Sequence, residues 1–587
     1  MKRLPSAILL AAVAALLAYF LYKTSMSLAA MRIYHVDECQ NVFMARILAT
    51  GQGENYFASA SLFLVPLIWL AGGAHQAADL FASARLISLL IFWINLFLVA
   101  LATGEKLLSP RGLVALVGAA TLAPFWDFGF EVRPENLLLT GLLLTWCAVR
   151  LGNAGMPSYL VAGALAVAMQ FTAHTACFYT LPLTLAILAC PPLGGRIPRW
   201  KLALTWAIGA LGMFLAVRLL FGAMGLWNAY LAGSPLASWT AFGGEPFERW
   251  EIAGRLAGQT PLLLALLAAA WAAVVVDLRH RGRTAFSWEN PMPEALLFLS
   301  ALVVLVLNPK PHNLLILVPF AYLFTYRYVL AVWKELWAFP FARPLIFTLL
   351  LFAHFIPFLV ATRRHLDWPN HRQESLTRWA EELTNPATDP VFDGIGMVPT
   401  RRSIDFHWLI RDATKETTPP WRDKLAARPA AVIIRSYRTS WLPEEDHEFI
   451  RGRYVSLADD FWVLGKTLPA GGGEFEIHHP GRYHVAPREV SNLDGTYERG
   501  LQGLLRGANK AVVEPEFVAT LDGIKLTNRT TVELTVGTHR LETTADCKPT
   551  VVWAGPRLKQ APRIGEGSHR DLFVNCTDAS AMRLTEK

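Results

Sequence analysis

Apolar positions are unevenly spread along this chain. Up to about residue 362 they form long runs of Leu, Ala, Phe and Trp broken by short polar stretches. Beyond that point they alternate with Arg, Asp, Glu, Gly and Pro, as in a fold that faces water. A helix crosses a bilayer with about 20 apolar residues. By that rule the pattern predicts about 11 spans. They are Ala7 to Leu21, Leu80 to Ala102, Gly112 to Phe125, Pro134 to Leu151, two within Tyr159 to Cys190, Leu202 to Phe221, Pro261 to Leu278, Glu294 to Leu307, a run ending near Leu330, and Pro344 to Thr362. The run Phe57 to Leu70, broken by Pro66, reads as a helix lying at or re-entering the interface. Trp126 to Glu135 reads as a short outer turn, and Gly222 to Thr260 as a long Trp-rich outer loop.

The tail has a different rhythm. His371 to Leu383 is helical in pattern, and strand-like runs follow at Pro390 to Asp393, Ala431 to Ile434 and Asp460 to Leu464. Gly471-Gly472-Gly473 reads as a linker. Past it, short alternating strands such as Phe475 to Ile477, Arg482 to Val485, Thr531 to Val536 and His539 to Thr543 predict a β-sandwich. The expected organisation is a membrane domain over 1–362, a small α/β domain over 363–470 and a sandwich over 471–587.

Charge orients the spans. Met1-Lys2-Arg3 places the N-terminus inside. A signal peptide cleaved near Ser27-Leu28-Ala29 is the other reading; a retained helix is preferred because many spans follow. The inner loops then hold Lys106 and Arg111, Arg150, Arg196 to Lys201, Arg279 to Arg283, and Lys334 with Arg343. Every inner loop is basic, and the tail falls outside. Asp37-Glu38, Arg133 to Glu135, His174 and Lys310 to His312 fall on one outer face.

Composition agrees. Of 587 residues 53% are hydrophobic and 17% charged, with mean hydropathy +0.33, too apolar for a soluble enzyme of this size. Basic inner loops explain much of the net charge of +8, and no basic-aromatic array points to nucleic acid. Cys547 and Cys576 in the tail are either a disulfide or two thiols.

The most unusual polar stretch is Tyr34-His35-Val36-Asp37-Glu38, directly after the first span. Two adjacent acids suit a helix start, with Asp37 as a cap. They also suit a catalytic carboxylate pair. The surrounding motifs are Ala84-Arg85-Leu86-Ile87-Ser88, Arg133-Pro134-Glu135 and Lys310-Pro311-His312, with Pro319 in the span that follows. In order and spacing these resemble the polytopic glycosyltransferases of the GT-C fold, in the branch of the protein O-mannosyltransferases and the lipid A aminoarabinose transferases. Where this chain has Glu135 the family often has Asp. After Lys310 the family usually has a Tyr-containing run, where this chain has His312-Asn313-Leu314.

The resemblance implies a fold, a polytopic α-helical membrane protein with an extracytoplasmic tail, in the plasma (inner) membrane. It also implies an activity: moving a sugar from a polyprenyl-phosphate donor to an acceptor hydroxyl, with inversion, on the outer face. Asp37 is then the general base and Glu38 a second carboxylate orienting the acceptor. Arg85, Arg133, Lys310 and His312 are the cations for the donor phosphate. Tyr34, Glu135 and His174 line the substrate. No cofactor is required; His35, Asp37, Glu38 and His174 together leave a divalent metal open. The partners expected are the lipid-linked sugar, membrane lipids and a lipid, glycan or protein acceptor. The competing readings are a lipid-glycan transporter or envelope scaffold without catalysis, and a hydrolase or phosphotransferase of lipid phosphates.

Overall fold

The computed structural model describes residues 4–51, 60–74, 76–106, 109–151, 155–173, 175–189, 197–232, 246–282, 292–307, 309–336, 351–366, 370–404, 419–458, 460–486, 518–526, 531–544 and 547–555. The chain is mostly helical, with a strand-rich C-terminal region. It divides into two compact units. The first comprises Met1–Arg32, Ala58–Leu67 and Ala82–Trp368; the second comprises Ile33–Phe57, Ile68–Phe81 and Pro369–Lys587.

In chain order the helices up to the tail are α1 (Leu4–Met31), α2 (Val36–Thr50), α3 (Leu64–Gly73), α4 (Ala77–Ala102), α5 (Pro110–Ala120), α6 (Ala123–Phe128), α7 (Pro134–Leu151), α8 (Met156–Gln170), α9 (Ala176–Ala189) and α10 (Arg199–Ala223). There follow α11 (Trp227–Ala232), α12 (Pro246–Gln259), α13 (Pro261–Arg281), α14 (Met292–Leu307), α15 (Leu314–Leu336) and α16 (Ile356–Leu366). Among the described residues, the helices Ala77–Ala102, Arg199–Ala223 and Pro261–His280 are long and apolar enough to cross a membrane.

Two of these carry exposed apolar stripes at helical spacing. On α4 the stripe is Leu86, Leu90, Ile94 and Phe97; on α10 it is Leu204, Ile208, Leu211, Leu215 and Leu219. Contiguous apolar faces of this kind need a covering medium or partner. On its other side α10 lies close against α8. A Cβ on Gly163 would sit 1.9 Å from the Trp206 carbonyl oxygen, and one on Gly209 would sit 2.0 Å from that of Leu160. Only glycine allows two helix backbones to approach so closely, a packing typical of membrane helix pairs.

Several expectations are refined. Pro134 to Leu151 forms one helix, α7, with proline at its first position. The run Gly112 to Phe125 does not. It stops at Ala120 and restarts as the six-residue α6. Pro124 explains the break, since its ring clashes with the carbonyl four residues back, that of Ala120. That carbonyl accepts instead from the Trp126 indole N–H at 2.7 Å. Trp126, Asp127 and Phe128 are therefore helical, not part of a turn. The long outer loop also holds structure, with α11 and the fourteen-residue α12 within it. The short helix expected over Phe57 to Leu70 is α3, shifted to Leu64–Gly73, with Pro66 in its first turn.

In the second unit the tail begins with α17 (His371–Leu383), continues through α18 (Trp421–Ala427) and α19 (Glu444–Arg453), and among the described residues holds eleven strands. These are β1 (Val391–Phe392), β2 (Val432–Ile434), β3 (Tyr454–Ala458), β4 (Phe461–Thr467), β5 (Gly472–Ile477), β6 (Gly481–Ala486), β7 (Ala519–Leu521), β8 (Ile524–Leu526), β9 (Thr531–Leu534), β10 (Gly537–Thr543) and β11 (Thr550–Trp553). One sheet has the order β1-β2-β4-β11-β6-β9, with β3 also on β4; the other has the order β5-β10-β7-β8. This corrects the boundary expected at residue 471. Strands from both sides of it share the seven-stranded sheet, joined where β11 pairs with β4. Gly472 and Gly473 are not a linker. They open β5 and pair with Glu542 and Leu541 of β10. A Cβ on Gly472 would lie 2.0 Å from the Leu541 carbonyl oxygen, so the glycine is needed for strand approach. Cys576, the expected partner of Cys547, lies outside the described residues.

Candidate functional site

The acidic stretch sits at the start of α2, within the same compact unit as the tail. His35 is the N-cap, not Asp37. The His35 Nδ1 accepts from the Asp37 main-chain N–H at 3.2 Å, and Glu38 reaches back so that its Oε2 accepts from the His35 N–H at 2.8 Å. This reciprocal arrangement is a capping box built with histidine. It gives Glu38, which is fully buried, a structural duty. The Asp37 carboxylate stays 31% exposed, with its Oδ2 3.6 Å from His35 Nδ1. An acid at this position also gains from the helix dipole.

Several contacts bind this segment to the rest of its unit. Tyr34 donates its N–H to Gln373 Oε1 at 2.6 Å, and its carbonyl accepts from Gln373 Nε2 at 3.1 Å. The Tyr34 hydroxyl donates to Glu374 at 2.8 Å, and its ring stacks on Phe81 at 4.5 Å. Further along α2, Phe43 packs on Gly396, where an added Cβ would lie 2.8 Å from the Phe43 Cβ. Gly396 has a φ of 78° and belongs to the loop after β1. Asp393 organises that loop: its carboxylate accepts from the main-chain N–H groups of Ile395, Gly396, Met397 and Val398 at 2.6 to 3.1 Å.

The expected cations lie in the first unit, and burial there demands partners. Arg85 is buried and donates through Nη1 to the carbonyls of Arg32 at 2.6 Å and Ala29 at 3.3 Å. Glu131 is shared by two arginines: Arg32 donates to its Oε1 at 2.6 Å, and Arg133 donates to its Oε2. Arg32 also donates to the Asp127 carbonyl at 2.6 Å, and its guanidinium lies 5.5 Å from the Phe130 ring centre. The Asp127 side chain is held by His365 of α16 at 2.6 Å and by Gln259 of α12 at 2.8 Å. Arg85 and Arg133 thus meet in one buried polar cluster with Arg32, Asp127, Glu131 and His365.

Lys310 and His312 flank Pro311 at a short 3-10 turn, Pro311–Asn313, that leads into α15. His312 Nε2 lies 3.8 Å from Glu135 Oε1 at the start of α7. Next to it, Asn313 accepts from the Tyr179 hydroxyl at 3.3 Å. Two of the expected outer-face motifs, Arg133-Pro134-Glu135 and Lys310-Pro311-His312, are therefore joined through Glu135 and His312. His174 lies outside the described residues.

Arg32, Asp127, His365 and Gln373 were not singled out from the sequence. A weak signal existed for Arg32 and Asp127, charged residues inside or directly beside apolar runs, where charge is costly. His365 and Gln373 carried none, because each is an ordinary polar residue on a short helix. Among the described residues, no group of three or more His, Cys, Asp or Glu side chains is arranged to hold a metal ion. No protein-family model matches the chain, and no curated protein matches it.

Proposed function

We propose that this protein is an inverting glycosyltransferase of the outer membrane face, taking a sugar from a polyprenyl phosphate. The observation that carries the reading is the division of labour in the first turn of α2. His35 and Glu38 supply the cap, and the Asp37 carboxylate remains partly exposed. The capping bonds of this turn are thus made by His35 and Glu38, and Asp37 is offered as the base.

In the proposed reaction an acceptor hydroxyl oxygen attacks the anomeric carbon and forms the new glycosidic bond. Asp37 takes the hydroxyl proton as general base, a contribution of about 10²–10⁴-fold. The bond from the anomeric carbon to the phosphate oxygen breaks with its electron pair, and polyprenyl phosphate leaves. Its added negative charge calls for cations set in place beforehand. Lys310 and His312, and the arginines 85 and 133, are assigned to that duty through the resemblance to the GT-C branch. Glu135 holds His312. Glu38 serves Asp37 indirectly, by fixing the helix start.

The membrane setting belongs to the same proposal. About 11 spans, an inside N-terminus and an extracytoplasmic tail are what the basic inner loops support. The exposed stripes on α4 and α10 add support. The test is release of free polyprenyl phosphate by purified protein in liposomes of native lipids, given one polyprenyl-phosphate sugar at a time. Release by the wild type and none by a folded Asp37→Asn variant is the expected result. No release from any donor, with membrane extract supplying acceptors, sinks the proposal and leaves a transporter or scaffold.

A further inference from the structure

One cation of the first unit stands apart from the buried cluster. Arg218 lies on the exposed side of α10, five residues before the helix ends at Ala223. Residues three, four and seven apart share a helix face, so Leu215, Phe214 and Leu211 fall beneath it, with Ile208 and Leu204 further down. All five are exposed. Gly209, which packs on α8, is nine positions back, two and a half turns, and faces the other way. Arg218 thus heads the apolar stripe of α10. Side chains on a helix lean toward its N-terminus. Arg218 instead reaches toward the C-terminal end: its Nη1 would lie 3.2 Å from a Cβ on Gly222, and its guanidinium lies 4.2 Å from the Trp227 ring centre. Trp227 is itself set by ring contacts at 5.7 Å to Tyr230, 6.4 Å to Phe171 and 6.5 Å to Phe214. Among the described residues no carboxylate pairs with Arg218.

Helix length sets the depth of this cation. The 25 residues of α10 extend about 37 Å, against about 30 Å of bilayer hydrocarbon. A centred α10 puts the Arg218 backbone just inside the hydrocarbon edge. The reach of its side chain then brings the guanidinium to headgroup level, where Trp and Tyr also gather. The anion a bilayer offers at that level is phosphate, which a guanidinium takes through two nitrogens. A zwitterionic lipid brings its own ammonium, so this guanidinium is better met by a lipid with a net negative charge. A second copy of the chain is a poorer cover, because the stripe beneath Arg218 is apolar throughout and holds no acid to meet it.

We infer that Arg218 and the α10 stripe beneath it bind one anionic phospholipid, with the phosphate on the guanidinium and an acyl chain along Phe214, Leu215 and Leu211. Trp227 is a positioning residue that aims the guanidinium. The site shares no residue with the transferase chemistry above. It rests only on the membrane setting of α10, whichever side of the bilayer the C-terminal end of that helix meets.

The full-length protein in mild detergent is titrated with phosphatidylglycerol, phosphatidylcholine and a free fatty acid of the same chain length, and bound lipids are counted by native mass spectrometry. One phosphatidylglycerol is expected to bind about tenfold or more tighter than phosphatidylcholine, as befits a charge-assisted contact, and tighter than the single-chain fatty acid. Arg218→Gln is expected to lose that preference, Arg218→Lys to keep part of it and Trp227→Leu to weaken it. Arg199→Gln, which removes an equal charge at the opposite end of α10, should leave it unchanged. Arg218 is exposed, so its variants should melt with the wild type in lipid-free detergent. Equal binding of the two phospholipids, a fatty acid bound as tightly, an unaltered preference in Arg218→Gln, an equal loss in Arg199→Gln, or a protein dimer in place of bound lipid each overturns the inference. Carbonate washing of membranes reads the setting separately. Release of the protein overturns the membrane setting and this inference together, whereas a retained protein with no lipid preference overturns this inference alone. The polyprenyl-phosphate assay bears only on the transferase proposal.

Discussion

Gln373 holds Tyr34 by both of its main-chain groups, at 2.6 Å through the N–H and 3.1 Å through the carbonyl, across a sequence separation of 339 residues. A side-chain amide used this way imitates a strand partner. It sets the course of the chain three residues before Asp37. Replacing Gln373 by Ala leaves two buried main-chain groups without these partners, a loss of about 1–3 kcal/mol for each such group. Thermal unfolding should show the second unit destabilised. Donor cleavage should fall through kcat more than KM, because Asp37 would be present but misplaced. Unchanged kcat in a folded Gln373→Ala protein would show that the clamp has no part in positioning Asp37.

The two acids of α2 should separate in a mutant pair. Asp37→Asn is expected to keep the melting temperature and to lose about 10²–10⁴-fold in turnover. Glu38→Ala removes half of the capping box and should cost about 0.5–2 kcal/mol, within the range for lost caps. Melting curves and turnover measured side by side check this. The reverse pattern, with Glu38 catalytic and Asp37 structural, would reassign the base.

Gly163 and Gly209 predict a packing effect far from any chemistry. Gly163→Ala drives a methyl group into the Trp206 carbonyl, and Gly209→Ala does the same at Leu160. Each should destabilise the α8–α10 pair by about 1–3 kcal/mol, as overpacking does. Because the two contacts are reciprocal, the double variant should cost less than the sum. Unfolding in mild detergent, read by the temperature of aggregation, measures both effects.

His365 and Asp127 form a buried pair at 2.6 Å. His365→Phe leaves the Asp127 carboxylate buried with Gln259 as its remaining side-chain hydrogen bond in this cluster. Stranding one member of a buried pair costs about 3–5 kcal/mol. The double variant His365→Phe/Asp127→Leu should recover much of that loss. Failure to recover, judged by yield of folded protein and unfolding temperature, would mean the pair does more than satisfy itself.

The tail should show one pH-dependent contact. Asp522 and Gly523 have φ of 48° and 84° and turn β7 into β8. Asp522 accepts from the Arg540 N–H at 2.8 Å and lies 2.7 Å from His539 Nδ1. Burial lowers the His539 pKa, but its bonds to Asp522 and the Thr535 carbonyl outweigh that and raise it above the usual value. A raised folded pKa means the stabilisation is complete below the unfolded value, near about 6.5, and is lost as pH rises through the folded one. An NMR titration of His539 should give a midpoint above that of the unfolded chain, and Asp522→Asn should bring it down. A midpoint unmoved by the mutation would remove the pair from the account.

Local pattern alone was enough for much of this architecture. The helices Pro134–Leu151 and His371–Leu383 have the expected bounds, because a proline at the first turn and a sustained helical period act within a few residues. What the tertiary structure decided is everything that depends on distant partners. Gly472 and Gly473 look like a linker until β10 is seen beside them. Strands on both sides of residue 471 join one sheet because pairing between β4 and β11 is a long-range choice that no local window contains. The cap on α2 is His35 with Glu38, and only the folded turn distinguishes that from a cap by Asp37. The arginines at 85 and 133 entered through motifs that resemble the GT-C branch. Their sharing of a buried cluster with Arg32, Glu131, Asp127 and His365 arises because the first unit must satisfy each charge it buries, and it does so with whichever partners the fold brings within reach.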